Sequence, residues 1–103
     1  MAIKIEKREN ALVASLEGDI DHHSAKLMRE SIDKAVEKTK PKLLKLDFSD
    51  VKFMDSSGIG LIIGRYKLMK ILKGDLQIIN VPQRINKIIM LSGLYKLKIV
   101  TKK

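Results

Sequence analysis

The sequence predicts a single α/β domain with a mixed, mostly parallel sheet and helices packed mainly on one face. Three observations carry that expectation. Short apolar runs alternate with longer runs of helical period in the order β-β-α-β-α-β-α-β, which implies right-handed crossovers and parallel neighbours. Strand-like runs such as Leu43 to Phe48 alternate apolar with charged residues, so one side of the sheet faces water. The chain has 103 residues, 45% of them hydrophobic, which is enough for one domain over 1–103 with its own core.

Ile3-Lys4-Ile5 and Leu12 to Leu16 read as two strands joined near Arg8-Glu9-Asn10, the first pairing antiparallel at an edge. Gly18 marks a bend or bulge. Asp21 followed by Ser24 resembles a helix start, although Ser24 is not the Glu or Gln of a capping box. From about His22 to Lys38, Leu27, Met28, Ile32, Ala35 and Val36 share one helical face. Lys26, Arg29, Glu30, Lys34 and Glu37 take the other side, and Pro41 lies past the end.

Leu44, Leu46 and Phe48 form the inner face of the next strand, and Ser49 to Lys52 reads as a short connection. A second helix, about Ser57 to Lys73, carries a stripe of Ile59, Ile62, Ile63, Tyr66 and Met69 flanked by Leu61, Leu68 and Leu72. It is apolar around much of its girth and is expected to be the most buried helix. Gly74 is placed to end it in a left-handed cap. Leu76 to Asn80 reads as a strand, and Pro82 opens a third helix with Ile85, Ile88, Ile89 and Leu91 inward. Gly93 closes that helix, and Leu97 to Val100 reads as a last strand.

Composition excludes several functions. There is no cysteine, hence no disulfide framework, thiolate metal site or cysteine nucleophile. No apolar run approaches the roughly 18 residues that span a bilayer, and the alternating Met1-Ala2-Ile3-Lys4-Ile5-Glu6 is not a signal peptide. A soluble, cytoplasmic protein is expected, with no membrane association. The net charge of +9 invites a nucleic-acid reading. The lysines are scattered, however, and aromatics make up 4%, too few for stacking platforms. No direct nucleic-acid contact is expected.

Chemistry concentrates in Asp55-Ser56-Ser57-Gly58-Ile59-Gly60, between a strand and a helix. No glycine stands two residues before either serine, so this is not a nucleophile elbow. His22 and His23 read as a loop-to-helix junction rather than a catalytic base or metal site, and no cofactor motif is present. A helix start does offer free N–H groups and partial positive charge, which suit a hydroxyl cap or a phosphate. Phosphorylation of Ser56 would add about −1.5 to −2 charges beside Asp55 and turn the patch acidic without unfolding the helix.

The same hexad, preceded by Phe53-Met54 and followed by Ile63-Gly64-Arg65-Tyr66-Lys67, resembles the signature of anti-sigma factor antagonists of the STAS-domain family, sporulation type. Gly18-Asp19-Ile20-Asp21-His22-His23-Ser24-Ala25 and Met90-Leu91-Ser92-Gly93-Leu94-Tyr95-Lys96 resemble two further hallmarks, in the same order. The resemblance implies a non-enzymatic partner switch. The unphosphorylated protein binds an anti-sigma factor that is also a serine kinase, which releases the sigma factor. The kinase phosphorylates Ser56 from ATP, and a PP2C-type phosphatase reverses it. The implied binding face comprises Asp21, His22, Asp55, Ser57, Gly58 and Ile59, and a monomer is expected when free. Family members of this type often continue into a further helix past the last strand, where this sequence ends at Lys103. The alternative is a STAS domain of a stressosome-like or lipid-transport assembly, against which the Asp21-His22-His23 stretch argues.

Overall fold

The computed structural model describes residues 2–101. Strand β1 (Ile3–Arg8) turns at Glu9 and Asn10 into β2 (Ala11–Ile20), pairing antiparallel from Ile3 with Leu16 to Arg8 with Ala11. Helix α1 (His22–Thr39) leads to β3 (Leu43–Met54), α2 (Ser56–Ile71) to β4 (Asp75–Ile79), and α3 (Gln83–Ser92) follows. The sheet order is β1-β2-β3-β4, with β3 parallel to both of its neighbours.

Alternation along the inner strands decides where the core lies. Leu12, Ala14 and Leu16 of β2, Leu44, Leu46 and Phe48 of β3, and Leu76 and Ile78 of β4 are buried. Their neighbours Val13, Ser15, Lys45, Asp47 and Gln77 are only half-buried. Met28, Ile32 and Val36 of α1, Leu61, Ile62 and Met69 of α2, and Ile85 and Ile89 of α3 join the same cluster. The helices therefore cover one face, as the alternation predicts.

Five expectations need correction. Residues Ser49 to Lys52 are strand rather than connection. Ser15 pairs with Asp47 but Glu17 with Asp50, and Gly18 pairs with Val51 but Asp19 with Phe53, so β3 gains one residue at each of two bulges. Inward side chains are consequently spaced by three at Phe48, Val51 and Met54, which disguises the strand in the sequence.

The predicted strand Leu97 to Val100 is instead a 3-10 turn over Leu94–Leu97 followed by a single parallel bridge from Val100 to Ile78. The Lys96 and Lys98 N–H groups are taken by Gly93 and Tyr95 carbonyls, and Lys98 turns the chain at φ 57°. The left-handed residue after α2 is Lys73 at φ 61°, not Gly74. Gly74 serves close approach: a Cβ there would lie 2.9 Å from the Lys42 carbonyl oxygen. Finally, Leu91 points out to solvent, 87% exposed.

The inner line of α2 also differs, running through Gly58, Leu61, Ile62, Arg65 and Met69. Ile59, Ile63, Tyr66 and Leu68 are half-buried, and Leu72 is exposed. Arg65 meets Asp33 of α1, Nε to Oδ1 at 2.9 Å, with side chains 8% and 31% exposed respectively. The approach is close but off the hydrogen-bond direction, and Arg65 Nε and Nη1 and Asp33 Oδ1 have no hydrogen-bond partner among the described residues. Burial pushes the Asp33 carboxyl above its usual range, against the opposing pull of Arg65 and Arg29. Burial likewise lowers the Arg65 guanidinium, against the pull of Asp33.

Asp33→Ala should strand a buried guanidinium and cost about 3 kcal/mol. The pair Asp33→Leu with Arg65→Met should cost less than that single change, because no charge is left unpaired. Urea unfolding of the three proteins checks the order.

Candidate functional site

Pairing of Ile20 with Met54 ends β2 and β3 at one level of the sheet. The helices that follow therefore start side by side, about 5 Å apart by the spacing of neighbouring strands. The Asp55 N–H donates to the Ile20 carbonyl at 3.2 Å and ties the two starts together.

Each start has an aspartate cap in extended conformation. Asp21 Oδ1 accepts from the Ser24 N–H at 2.9 Å, and Ser24 Oγ accepts from the Asp21 N–H at 2.9 Å. This is a reciprocal capping box, so Ser24 does the work expected of Glu or Gln. It is held in place as its hydroxyl donates to the Asp19 carbonyl at 2.7 Å. The Ser24 N–H, then the Ser24 hydroxyl, hold the Asp21 carboxyl below its usual range, with His23 adding to the effect.

At α2, Asp55 Oδ1 accepts from the Ser57 N–H at 2.8 Å. Ser56 is the first helical residue and is exposed, and its hydroxyl makes no hydrogen bond among the described residues. Ser57 and Ile59 are half-buried. Gly58 is buried: a Cβ there would sit 2.2 Å from Met54 Cγ and 2.3 Å from Met54 Sδ. The start of α2 thus lies directly on the end of β3, and glycine permits it.

Between the two helices runs an open groove of about 370 Å³, lined by His22, Ala25, Lys26 and Arg29 of α1 and by Ser57, Gly60 and Leu61 of α2. Larger hollows of about 660 and 550 Å³ flank α3 and share no residue with it. All seven residues expected at the site, Asp21, His22, Asp55, Ser56, Ser57, Gly58 and Ile59, gather at this end of the molecule. Gly58 shapes the surface from beneath. His22 shares the groove with Ser57 but makes no hydrogen bond to either serine among the described residues.

The groove also takes in Lys26 and Arg29, which the sequence reading assigned to a solvated side, and Gly60, which lay in the expected hexad without a role of its own. The available signal was the spacing of His22, Lys26 and Arg29, which places them along one line of a helix.

A four-stranded mixed sheet covered on one face by three helices is the fold of a known domain family. The STAS domain pattern matches residues 2–102, and the chain belongs to that family. It is 32% identical over 97 residues to the anti-sigma F factor antagonist of Paenibacillus polymyxa, covering 94% of this chain and 83% of that protein. It also matches the structure of the anti-sigma factor antagonist SpoIIAA in its unphosphorylated form, with TM-score 0.86 and 27% identity over 99% of this chain and 88% of that one. The phosphorylated form of the Bacillus cell fate determinant SpoIIAA matches with TM-score 0.78 and 27% identity, over 99% and 91% of the two chains. No helix among the described residues is long and apolar enough to cross a membrane.

Two glycines two residues apart should respond in opposite directions. Gly58→Ala must displace Met54 and should cost about 1–2 kcal/mol. Gly60→Ala meets nothing within 4 Å and should gain about 0.5–1 kcal/mol from helix propensity. Thermal unfolding distinguishes them.

Because the Asp21 carboxyl lies below its ordinary value of 3.8, its cap is fully formed above that pH and is lost as pH falls through the folded-state value. An acid titration of the Ser24 amide resonance should show a midpoint below 3.8, and Asp21→Asn should abolish it. A midpoint at or above the ordinary value contradicts the assignment.

Proposed function

We propose that this chain is a non-enzymatic anti-sigma factor antagonist switched by phosphorylation of Ser56. Unmodified, it binds an anti-sigma factor through Asp21, His22, Asp55, Ser57 and Ile59, with the buried Gly58 shaping that face from beneath, and the sigma factor is released. The anti-sigma factor, acting as a serine kinase, moves the γ-phosphoryl group of ATP to Ser56 Oγ, leaving ADP. A PP2C-type phosphatase returns serine and inorganic phosphate. In this reading the protein acts in the cytoplasm and is a monomer when free.

The observation that supports this reading is the division of labour among adjacent residues. Ser56 is exposed with a hydroxyl free of hydrogen bonds among the described residues, whereas Ser57 is half-buried and its N–H serves the Asp55 cap. Modification at Ser56 therefore breaks no packing. The partial positive charge of a helix start also favours a phosphate, although the Ser57 and Gly58 N–H groups are already taken by Asp55. The fold survives while the surface changes sign, since the new dianion stands beside Asp55 and one strand away from Asp21. A partner that fits the neutral serine is expelled by charge. The match to an antagonist solved in both phosphorylation states supports the same reading.

Each anti-sigma factor kinase of the source organism, with magnesium and ATP, provides the test. One kinase should add a single phosphate to the wild type and to Ser57→Ala, and none to Ser56→Ala. Ser56→Asp should keep its circular dichroism and bind the anti-sigma factor at least tenfold more weakly. Phosphorylation of Ser56→Ala at the wild-type rate overturns the assignment.

A further inference from the structure

The groove between α1 and α2 has a charge pattern independent of the two caps. His22, Lys26 and Arg29 are exposed and line its α1 wall. Neither Lys26 nor Arg29 belongs to an ion pair among the described residues, where the ion pairs join Lys4, Arg8, Arg65 and Lys70 to acids. No acidic side chain lines the groove. One helical turn beyond Arg29, Asp33 is engaged by Arg65, and Arg29 acts on both members of that pair. Arg29 and Glu37 act on Asp33 only through space, since the ion pair of that carboxylate among the described residues is with Arg65.

The opposite wall is bare. Gly60 carries no side chain and a Cβ there would meet nothing within 4 Å, so an incoming chain could approach the helix backbone. Ala25 and Leu61 add small and apolar surface between the walls. A lysine and arginine on a helix are ordinarily solvated. Here they face an open channel that is continuous with Ser57 and the start of α2.

We propose that this groove receives an acidic segment of the anti-sigma factor, with Lys26 and Arg29 supplying the countercharge and Gly60 the room. The inference rests on the proposed function and specifies the chemistry of the partner. It also gives the switch a second arm. A phosphate on Ser56, one residue from the groove wall, repels the acidic segment and competes with it for Lys26 and Arg29. The net charge of +9 further favours encounter with an acidic surface.

The test uses the anti-sigma factor that binds the unmodified protein most tightly. Lys26→Glu with Arg29→Glu should weaken binding at least tenfold at low salt and flatten its salt dependence. Lys7→Glu with Lys87→Glu makes the same change in net charge away from the groove and should leave affinity within threefold. Gly60→Leu should fill the groove and weaken binding at least tenfold while thermal stability is kept. If the groove reversal binds no more weakly than the distant one, or Gly60→Leu binds as wild type does, the groove proposal fails. Phosphorylation at Ser56 and its effect on binding would then still stand. If the unmodified protein binds none of the organism's anti-sigma factors, both readings fall.

Discussion

Everything at the functional end depends on one register, the pairing of Ile20 with Met54 between parallel strands. In a strand, a slip of one residue sends every side chain to the other face. From Ser15 to Ile20, β2 advances five residues while β3 advances seven, from Asp47 to Met54. The first bulge inverts the phase of β3, so Val51 rather than an even-numbered neighbour turns inward, and the second restores it at Met54. Without both, Met54 would not lie beneath Gly58, and Asp55 could not reach the Ile20 carbonyl. The bulges are how a long strand delivers its last residue to the right face.

The hexad that follows satisfies several local demands in succession. Asp55 must accept a backbone N–H, Ser57 must supply it, and Gly58 must lie against Met54. Of these four, Ser56 alone has an exposed side chain, and its hydroxyl makes no hydrogen bond among the described residues. A residue free of structural work can change chemistry without cost to the fold. In the proposed switch, that freedom matters as much as exposure does. It also explains why two adjacent serines are not equivalent, although their side chains are identical.

The features legible in the sequence were those set by near neighbours. Helix starts at Asp21 and Asp55 and the stop at Gly93 are encoded within three or four residues. The three motifs that resemble the STAS family lie in such segments. What failed to show was set by distant partners. The strand character of Ser49 to Lys52 depends on the register with β2. The inward turn of Arg65 depends on Asp33, on another helix. Lys26 and Arg29 read as ordinary solvated charges because nothing in α1 announces that α2 stands beside them with glycine at position 60.

The buried pair links these levels. The Asp55–Ile20 hydrogen bond ties the cap of α2 to the end of β2, from which α1 departs, and further along the two helices meet through Arg65 and Asp33. Apolar packing alone would permit helices to slide or rotate with modest loss, whereas an ion pair inside the protein penalises separation of its partners. The spacing of the two helices, and hence the width of the groove, is therefore held at two points. In the proposed switch, a groove held in this way lets a charge change at its rim alter what binds there without moving the walls.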